Sequence, residues 1–215
     1  QVAFFERMGA AGFAVLEILS REARDAGLLV IADAKRGDIG TTMDAYLDAW
    51  LGKSAPFYAD SLTVSPYLGA DVYLGKMGEY FERGKGVISL VATSNPEGES
   101  VQLDLAGSQF EALGRINQIA AGPGDRLGPV GAVIGATLNL NRFGVNLENQ
   151  GSVKTPILAP GFGAQGAELI DIKRLFGSVA DTVIASVSRS VLESGASGIA
   201  SAIDAHKLQL EKGLA

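Results

Sequence analysis

The sequence predicts an α/β fold in which helices cover a parallel β-sheet, and three features of the chain support this class. Short β-rich apolar runs alternate with longer amphipathic stretches along the 215 residues, a pattern typical of parallel strands joined by helical crossovers. The 28 glycines supply residues for many tight turns between strands and helices. The sequence contains no recognisable linker, low-complexity tract or internal repeat, so we expect residues 1–215 to form a single domain.

The order of the elements follows from these runs. Residues 4–26 have helical spacing, and the apolar run after them predicts the first strand, at 28–33. Five further runs, most of them apolar on both faces like buried parallel strands, predict strands at 61–65, 86–93, 130–137, 156–159 and 182–188. The amphipathic stretches between and after them predict helices at 41–51, 71–83, 101–121, 141–149, 167–176 and from 190 onward.

Two architectures fit six parallel strands: a doubly wound open sheet and a (β/α)8 TIM barrel. The sequence begins without Met and enters helical spacing almost at once, so we expect a segment before Gln1. With that segment, the chain fits a barrel whose first βα unit and most of whose second strand precede Gln1. A barrel of this type typically needs about 250 residues.

Composition narrows the possible chemistry. The chain has no cysteine and one histidine, His206, which excludes disulfides, a cysteine nucleophile and Cys/His metal centres. Catalysis would therefore depend on carboxylates, lysines or hydroxyls. The net charge of −6, from 18 basic and 24 acidic residues, argues against a nucleic-acid surface and means that an anionic substrate needs a local positive site. We also predict a soluble, cytoplasmic protein, because no apolar run approaches the roughly 20 residues of a membrane span and no signal peptide is recognisable.

The most informative charged cluster lies at the end of the first predicted strand. Asp33 and Lys35 are two residues apart, so a strand would turn both side chains to one face at its carboxyl end. Ligands of α/β proteins bind at that end. The plainer interpretation is an ion pair at the sheet rim, with Arg36 and Asp38 as solvated loop charges. The apolar run before the pair is equally consistent with a functional site, because buried charges are costly unless they are paired or used, and spacing alone does not decide between the two interpretations.

A second cluster combines a glycine loop with an arginine. Residues 161–166 read Gly-Phe-Gly-Ala-Gln-Gly, and the backbone N–H groups of such a loop at the start of a helix bind anions. The loop also matches the G-x-G-x-x-G pattern of dinucleotide-binding proteins, but Asp181, the acid at the expected distance, precedes a predicted strand and so argues against NAD. Arg189 follows the last predicted strand and can grip a phosphate with its guanidinium. If the last two predicted strands are the seventh and eighth of a barrel, these elements form its phosphate site.

Other polar residues receive a structural interpretation. Residues 92–98 follow a strand and include Ser94, but the Asn, Pro and Gly among them are typical of a turn. His206 lies among polar residues of the last helix, so we expect it to be solvated. Thr41 or Thr42 is expected to cap the helix at 41–51.

Taken together, these motifs resemble those of the orotidine 5′-phosphate decarboxylase family, in its bacterial branch. Residues 33–40 read Asp-Ala-Lys-Arg-Gly-Asp-Ile-Gly, which is the motif of that branch without a change. The run at 92–98, the glycine loop with Gln165, and the Ser-Arg-Ser at 188–190 occur in the family's order. The resemblance covers nearly the whole chain. It implies a (β/α)8 barrel that decarboxylates orotidine 5′-monophosphate to uridine 5′-monophosphate in pyrimidine biosynthesis, without a metal or cofactor.

The resemblance also implies a role for each site residue. Lys35 would protonate C6 of the pyrimidine as CO2 leaves, and Asp33 would lie against the substrate carboxylate. Asp38 and Thr42 would reach the neighbouring active site of a homodimer. The other substrate-binding residues would be Ser94 on the pyrimidine, Gln165 and Arg189 on the 5′-phosphate, and Pro160, Gly163 and Ser188.

Two further implications concern the segment before Gln1 and the alternatives. The family supplies an Asp from its first strand and a Lys from its second, and both would precede Gln1. A Mg²⁺-dependent keto-sugar-phosphate decarboxylase of the same barrel group shares the Asp-x-Lys-x-x-Asp pattern and remains an alternative, as does a nucleotide-binding barrel without turnover. A Schiff-base aldolase is disfavoured, because carboxylates beside Lys35 stabilise its charged form.

Overall fold

A computed structural model of the chain, which describes residues 1–75 and 77–215, has a parallel β-sheet at its centre. Its six strands follow one another in chain order, and each is hydrogen-bonded in parallel to the next. They are β1 (Ile31–Arg36), β2 (Ser61–Val64), β3 (Gly86–Ala92), β4 (Val130–Ile134), β5 (Ile157–Pro160) and β6 (Val183–Ser186). The sheet curls into part of a barrel, with β1 and β6 at its two edges. The predicted α/β class is confirmed, and the sequential parallel order is that of a barrel rather than of a doubly wound open sheet.

Helices connect the strands and cover the sheet. The α-helices are α1 (Ala3–Glu6), α2 (Gly9–Asp25), α3 (Gly40–Leu51), α4 (Gly78–Phe81), α5 (Glu99–Ala120), α6 (Ile172–Phe176), α7 (Arg189–Leu192) and α8 (Gly195–Leu214). Short 3-10 helices span Ala70–Leu74, Pro96–Gly98, Leu140–Phe143, Leu169–Asp171 and Gly177–Thr182. Among the described residues, no helix combines the length and the apolar character needed to cross a bilayer.

The core joins the sheet to its covering helices. Fully buried strand residues pack in one cluster with buried residues of α3 and α5, including Leu62, Val64, Ile134, Ile157, Leu47, Leu51, Leu113 and Ile116. Each such side chain contributes roughly 1.5–3 kcal/mol when it is removed from water. This packing holds the carboxyl ends of the parallel strands together at one rim.

The first strand was predicted at 28–33, and its position was wrong by three residues. Leu28 and Leu29 are exposed, Leu29 by 87%, and the N–H of Val30 donates to the carboxylate of Asp60 at 2.9 Å rather than to a neighbouring strand. β1 therefore begins at Ile31. Asp33 and Lys35 consequently lie within the strand, where pairing with β2 constrains their backbone.

Two of the predicted helices end or break at glycines. The helix predicted at 4–26 is divided into α1 and α2, because Gly9 has φ +59° in the left-handed region. The helix predicted at 141–149 is only a 3-10 turn, since Gly144, with φ +63°, ends it. Asn146 then accepts the N–H of Glu148 at 3.0 Å, which forms a turn in place of a helix.

The remaining differences have a similar origin. The helix predicted at 71–83 is a 3-10 helix followed by the four-residue α4, with glycines at 75 and 78, and residue 76 lies outside the described part of the chain. The helix predicted at 167–176 begins only at Leu169, as a 3-10 turn. The final helix, predicted from 190 onward, begins at Arg189 and is divided before Gly195, which has φ +65°.

Candidate active site

The structure brings Asp33 and Lys35 together near the carboxyl end of β1. Lys35 Nζ lies 2.6 Å from Asp33 Oδ1, so the pair forms both a hydrogen bond and an ion pair. The Asp33 side chain is 23% exposed and the Lys35 side chain is 45% exposed. A ligand at the rim of the sheet can therefore reach both charges, as the two-residue spacing predicted.

The backbone of Lys35 is strained. Its φ of 51° lies in the left-handed region, and among the described residues it is the one non-glycine with a positive φ. The pairing register between β1 and β2 also shifts between Ala32 and Arg36, which marks a bulge. Such a conformation costs a non-glycine residue about 1 kcal/mol, and strain of this kind is found at functional sites.

Thr63, a residue that the sequence analysis missed, holds this pair in place from β2. Its side chain is fully buried. The hydroxyl donates to Asp33 Oδ1 at 2.8 Å and accepts the backbone N–H of Lys35 at 3.0 Å. The Gln1 amide donates to the other carboxylate oxygen. The available signal was a threonine inside an apolar strand, because a buried hydroxyl requires hydrogen-bond partners.

Arg36 points away from this cluster. It forms an ion pair with Glu6 of α1, and its guanidinium lies 5.8 Å from the centre of the Tyr46 ring. The interpretation of Arg36 as a solvated loop charge is therefore wrong. Its contacts instead fasten α1 and α3 to the carboxyl end of β1.

The loop between β1 and α3 carries Asp38 and Thr42. Asp38 is half-buried and accepts the N–H of Ile39 at 2.8 Å, while Thr42 is exposed in the first turn of α3. Neither Thr41 nor Thr42 caps this helix as predicted, because α3 begins at Gly40 and Ile39 occupies the capping position. Asp38 thus lies two residues before α3, and Thr42 lies within its first turn.

Ser94 is exposed just after β3, in a turn that α5 holds. Gln102 of α5 accepts the Thr93 N–H at 2.8 Å and donates to the Thr93 hydroxyl at 2.7 Å. That hydroxyl donates to Asn95 Oδ1 at 2.6 Å. The turn predicted from its Asn, Pro and Gly is thus present, and Gln102 fixes it at the carboxyl end of the sheet.

The glycine loop after β5 closes on itself. Gly161, Gly163 and Gly166 have φ values of +121°, +75° and +99°, which other residues adopt at a cost. The N–H of Gly163 donates to the Ala167 carbonyl at 2.9 Å, and the N–H of Gly166 donates to the Gly163 carbonyl at 2.9 Å. These two N–H groups are therefore already paired, and the helix predicted at 167–176 begins only at Leu169, so the loop does not open directly onto a helix. Residues 163–166, with Gln165 among them, are exposed and open to a ligand.

Arg189 lies next to this loop through strand pairing. Pro160 at the end of β5 pairs with Ser186 at the end of β6, so the chain leaves both strands at the same place. The Ser188 carbonyl accepts the N–H groups of Val191 and Leu192 at 3.1 and 3.0 Å, which starts α7. Arg189 is exposed and forms no ion pair within the described part of the chain. Its positive charge is thus available beside the glycine loop.

His206 is not solvated as predicted. Its Nε2 lies 2.9 Å from the hydroxyl of Ser190, and the ring is partly buried between α8 and α7. Asp181, the acid that tested the dinucleotide interpretation, forms an ion pair with Arg126 at 3.2 Å. Ser190, which lies beside the glycine loop, thus has His206 as a hydrogen-bond partner.

The opposite end of the sheet has a different character. Lys85 is buried before β3, donates to Asp60 Oδ1 at 2.9 Å and lies 3.7 Å from the centre of the Tyr58 ring. Burial alone would raise the pKa of Asp60, but the hydrogen bonds from Lys85, Val30 and Tyr58 and the charge of Lys85 lower it overall. A cavity of about 1090 Å³ opens at this end, lined mainly by apolar residues. Lys85 at this end is thus much less exposed than Lys35 at the carboxyl ends of the strands.

No group of three or more His, Asp or Glu side chains converges as a metal site within residues 1–75 and 77–215. The cluster at the rim is one cation with one neighbouring carboxylate, and a second cation stands beside the glycine loop. Such an arrangement can hold the first cation beside a carbon on which negative charge develops. The second cation can bind an anionic group elsewhere on the same ligand.

Comparison with known proteins identifies relatives of this chain. The sequence profile of the orotidine 5′-phosphate decarboxylase / HUMPS family matches residues 1–202. Orotidine 5′-phosphate decarboxylase from Streptomyces coelicolor is 46% identical over 199 residues, which cover 91% of this chain and 69% of that protein. The protein of the same name from Corynebacterium glutamicum is 41% identical over 203 residues, covering 91% of this chain and 70% of its own length.

Solved structures agree with this comparison. A crystal structure from Streptomyces avermitilis, assigned as an orotidine 5′-phosphate decarboxylase, superposes with a TM-score of 0.89 at 41% identity and covers 99% of this chain and 75% of its own. UMP synthase of Leishmania donovani has a TM-score of 0.73 at 31% identity, covering 100% of this chain and 46% of its own. The likeness extends over the whole sheet and its rim.

Proposed function

Because the chain belongs to the orotidine 5′-phosphate decarboxylase / HUMPS family, we propose that it decarboxylates orotidine 5′-monophosphate to uridine 5′-monophosphate, a step of pyrimidine biosynthesis. The observation that carries this proposal is the Asp33–Lys35 pair, 2.6 Å apart at the carboxyl end of β1. It supplies a fixed cation at the rim where α/β proteins bind ligands.

Lys35 is the proposed acid. The bond between C6 and the carboxylate breaks, CO2 leaves, and the electron pair of that bond stays on C6. The Lys35 ammonium gives a proton to C6 and later regains one from water. A unit charge about 4 Å away, at an effective dielectric constant near 20, contributes roughly 4 kcal/mol, or about three powers of ten in rate.

Asp33 has two parts in this mechanism. It orients the Lys35 ammonium through their 2.6 Å contact, and it places a negative charge beside the substrate carboxylate. That repulsion falls as CO2 forms, so it is weaker in the transition state than in the bound substrate. The hydrogen bond from Thr63 keeps Asp33 from turning away.

The phosphate of the substrate is proposed to bind at the glycine loop. Arg189 supplies a guanidinium without an ion-pair partner among the described residues, and Gln165 supplies an amide at the exposed loop tip. Pro160, Gly163 and Ser188 shape the backbone around them, and Ser94 is placed to contact the pyrimidine. Binding energy from the phosphate then holds the pyrimidine against Lys35, because a single lysine cannot supply the whole rate enhancement.

A homodimer is part of the proposal. Asp38 and Thr42 stand at the start of α3 beside Ile39, whose side chain is 57% exposed, and a second copy would cover this apolar residue while receiving both polar groups. Mixing inactive Lys35→Ala and Asp38→Ala proteins in equal amounts would then restore about a quarter of the activity. About half of the dimers would contain both variants, and each of these would have one intact site out of two. Mixtures that stay inactive would contradict shared sites.

We also propose that residues 1–215 form one domain of a cytoplasmic protein. The described strands form one sheet and the buried residues one core, which supports treating residues 1–215 as one domain. A nucleotide substrate and the metabolic role of the relatives support a cytoplasmic location. Neither nucleic acid nor a membrane is a proposed partner.

One experiment tests the activity against its alternatives. Loss of orotidine 5′-monophosphate absorbance is followed with and without EDTA, and we expect turnover that EDTA does not change. Chelator-sensitive turnover of a keto-sugar phosphate would favour the Mg²⁺-dependent alternative. Tight binding of uridine 5′-monophosphate without turnover of orotidine 5′-monophosphate would favour a binding protein.

A further inference from the structure

His206 contacts the serine that follows the proposed phosphate-binding arginine. Its Nε2 lies 2.9 Å from Ser190 Oγ, joining α8 to α7 across 16 residues of sequence. The other ring nitrogen, Nδ1, is buried and has no hydrogen-bond partner among the described residues. The ring is therefore fixed through one nitrogen only.

Ser190 stands between this histidine and the glycine loop. A β-carbon on Gly163 would lie 3.4 Å from Ser190 Oγ, so the hydroxyl rests against the loop backbone. Arg189 immediately precedes it in α7. The Ser190 hydroxyl is thus beside the place where the proposed function puts a phosphate.

The unpaired Nδ1 indicates which nitrogen carries the proton. If Nδ1 were protonated, its N–H would be a buried donor without a partner, and Nε2 would take the only hydrogen of the Ser190 hydroxyl. If Nε2 is protonated, it donates to Ser190 Oγ and leaves only a lone pair unpaired at Nδ1. Buried unpaired donors are rarer than under-used acceptors, so the geometry favours the second form.

We propose that His206 is a positioning residue for the phosphate group of the substrate, acting through Ser190. In the neutral form with hydrogen on Nε2, His206 holds Ser190 Oγ and leaves the serine hydrogen free to donate to a phosphate-monoester oxygen. The inference rests on the proposed function, because it takes the ligand at the glycine loop to be a phosphate monoester.

The test compares three variants with the unaltered protein. His206→Phe keeps an aromatic ring without the donor, His206→Gln keeps an N–H within reach, and Ser190→Ala removes the bond from the other side. For His206→Phe and Ser190→Ala we expect KM for orotidine 5′-monophosphate to rise about tenfold with kcat within about twofold. His206→Gln recovers most of this loss. The double variant adds little to either single change, because both remove the same bond.

Ligand binding separates positioning from a purely structural effect. The Kd for uridine 5′-monophosphate rises about tenfold in His206→Phe, while the Kd for uridine, which lacks the phosphate, does not change. An equal loss for both ligands, or an unchanged KM in Ser190→Ala, would overturn the inference. If His206→Phe does not fold, an unchanged KM in Ser190→Ala still overturns the inference. Failure of the unaltered protein to bind or convert the nucleotide would instead refute the proposed function.

Discussion

Thr63 donates its hydroxyl hydrogen to Asp33 Oδ1 across 2.8 Å, from a position on β2 that solvent does not reach. The same carboxylate oxygen accepts the Lys35 ammonium at 2.6 Å. One oxygen therefore receives a hydrogen bond from the neighbouring strand and another from the proposed acid. The orientation of Lys35 depends on a buried threonine as well as on its own strand.

Replacement of Thr63 tests this dependence. Thr63→Val keeps the shape of the side chain but removes the donor to Asp33 and the acceptor for the Lys35 N–H, so we expect kcat to fall about tenfold and stability to fall by about 1–2 kcal/mol. Thr63→Ser, which keeps the hydroxyl, is the matched control. Steady-state kinetics and urea unfolding measure the two effects, and a fully active Thr63→Val would show that the bond does not position Lys35.

Removal of the Lys35 amine should separate chemistry from binding. We expect Lys35→Ala to lose almost all turnover, because the proton donor for C6 is gone, while binding of uridine 5′-monophosphate stays measurable. Lys53→Ala, at an exposed lysine after α3, controls for loss of charge. Single-turnover kinetics and calorimetric titration make the comparison, and a near-normal kcat in Lys35→Ala would exclude Lys35 as the acid.

The strained backbone of Lys35 leads to a stability prediction. With φ at 51°, an alanine at this position retains the strain, whereas a glycine is free of it. We expect Lys35→Gly to be about 1 kcal/mol more stable than Lys35→Ala, although both are inactive. Chemical unfolding of the two variants measures the difference. Equal stabilities would mean that the bulge relaxes when the lysine is removed.

Two glycines of the glycine loop offer another matched comparison. Gly163 and Gly166 both have positive φ, but a β-carbon on Gly163 would meet Ser190 Oγ at 3.4 Å, whereas one on Gly166 would have nothing within 4 Å. Gly163→Ala and Gly166→Ala should each lose about 1 kcal/mol of stability. KM should rise more in Gly163→Ala, because only that change places a methyl group in contact with Ser190. Similar KM values for the two variants would place the phosphate elsewhere.

The Asp60–Lys85 pair predicts how acid affects stability. Asp60 has a lowered pKa in the folded protein. Its ionised carboxylate therefore stabilises the fold above its ordinary pKa, and this stabilisation is lost as pH falls through the pKa of the folded state. Asp60→Asn should therefore be less stable than the unaltered protein at pH 7, and the difference between their free energies of unfolding should narrow below about pH 4. Asp181→Asn, which removes an exposed ion pair with Arg126, should change little at pH 7. Thermal unfolding at several pH values checks both, and a gap that does not narrow in acid would contradict the assignment.

Local spacing was enough to predict the six strands of the described sheet and the meeting of Asp33 with Lys35. The apolar runs and the two-residue period of a strand depend only on near neighbours in the sequence, whereas the same runs fit both a doubly wound sheet and a barrel. Thr63 and His206 could not be recognised in this way, because their partners lie 30 and 16 residues away. The helix predicted at 141–149 failed for a different reason: its apolar spacing was helical, but the left-handed Gly144 ends the turn after four residues.

The strictly sequential order of the strands has a consequence for how the site is assembled during folding. Each strand pairs only with its neighbours in the chain, so the sheet can extend one βα unit at a time with short loop closures. Lys35 belongs to β1 and Arg189 follows β6, at the two ends of this series. With the proposed site, we expect tight nucleotide binding only after the last unit has docked, and the rate at which affinity is gained during refolding would report that final step.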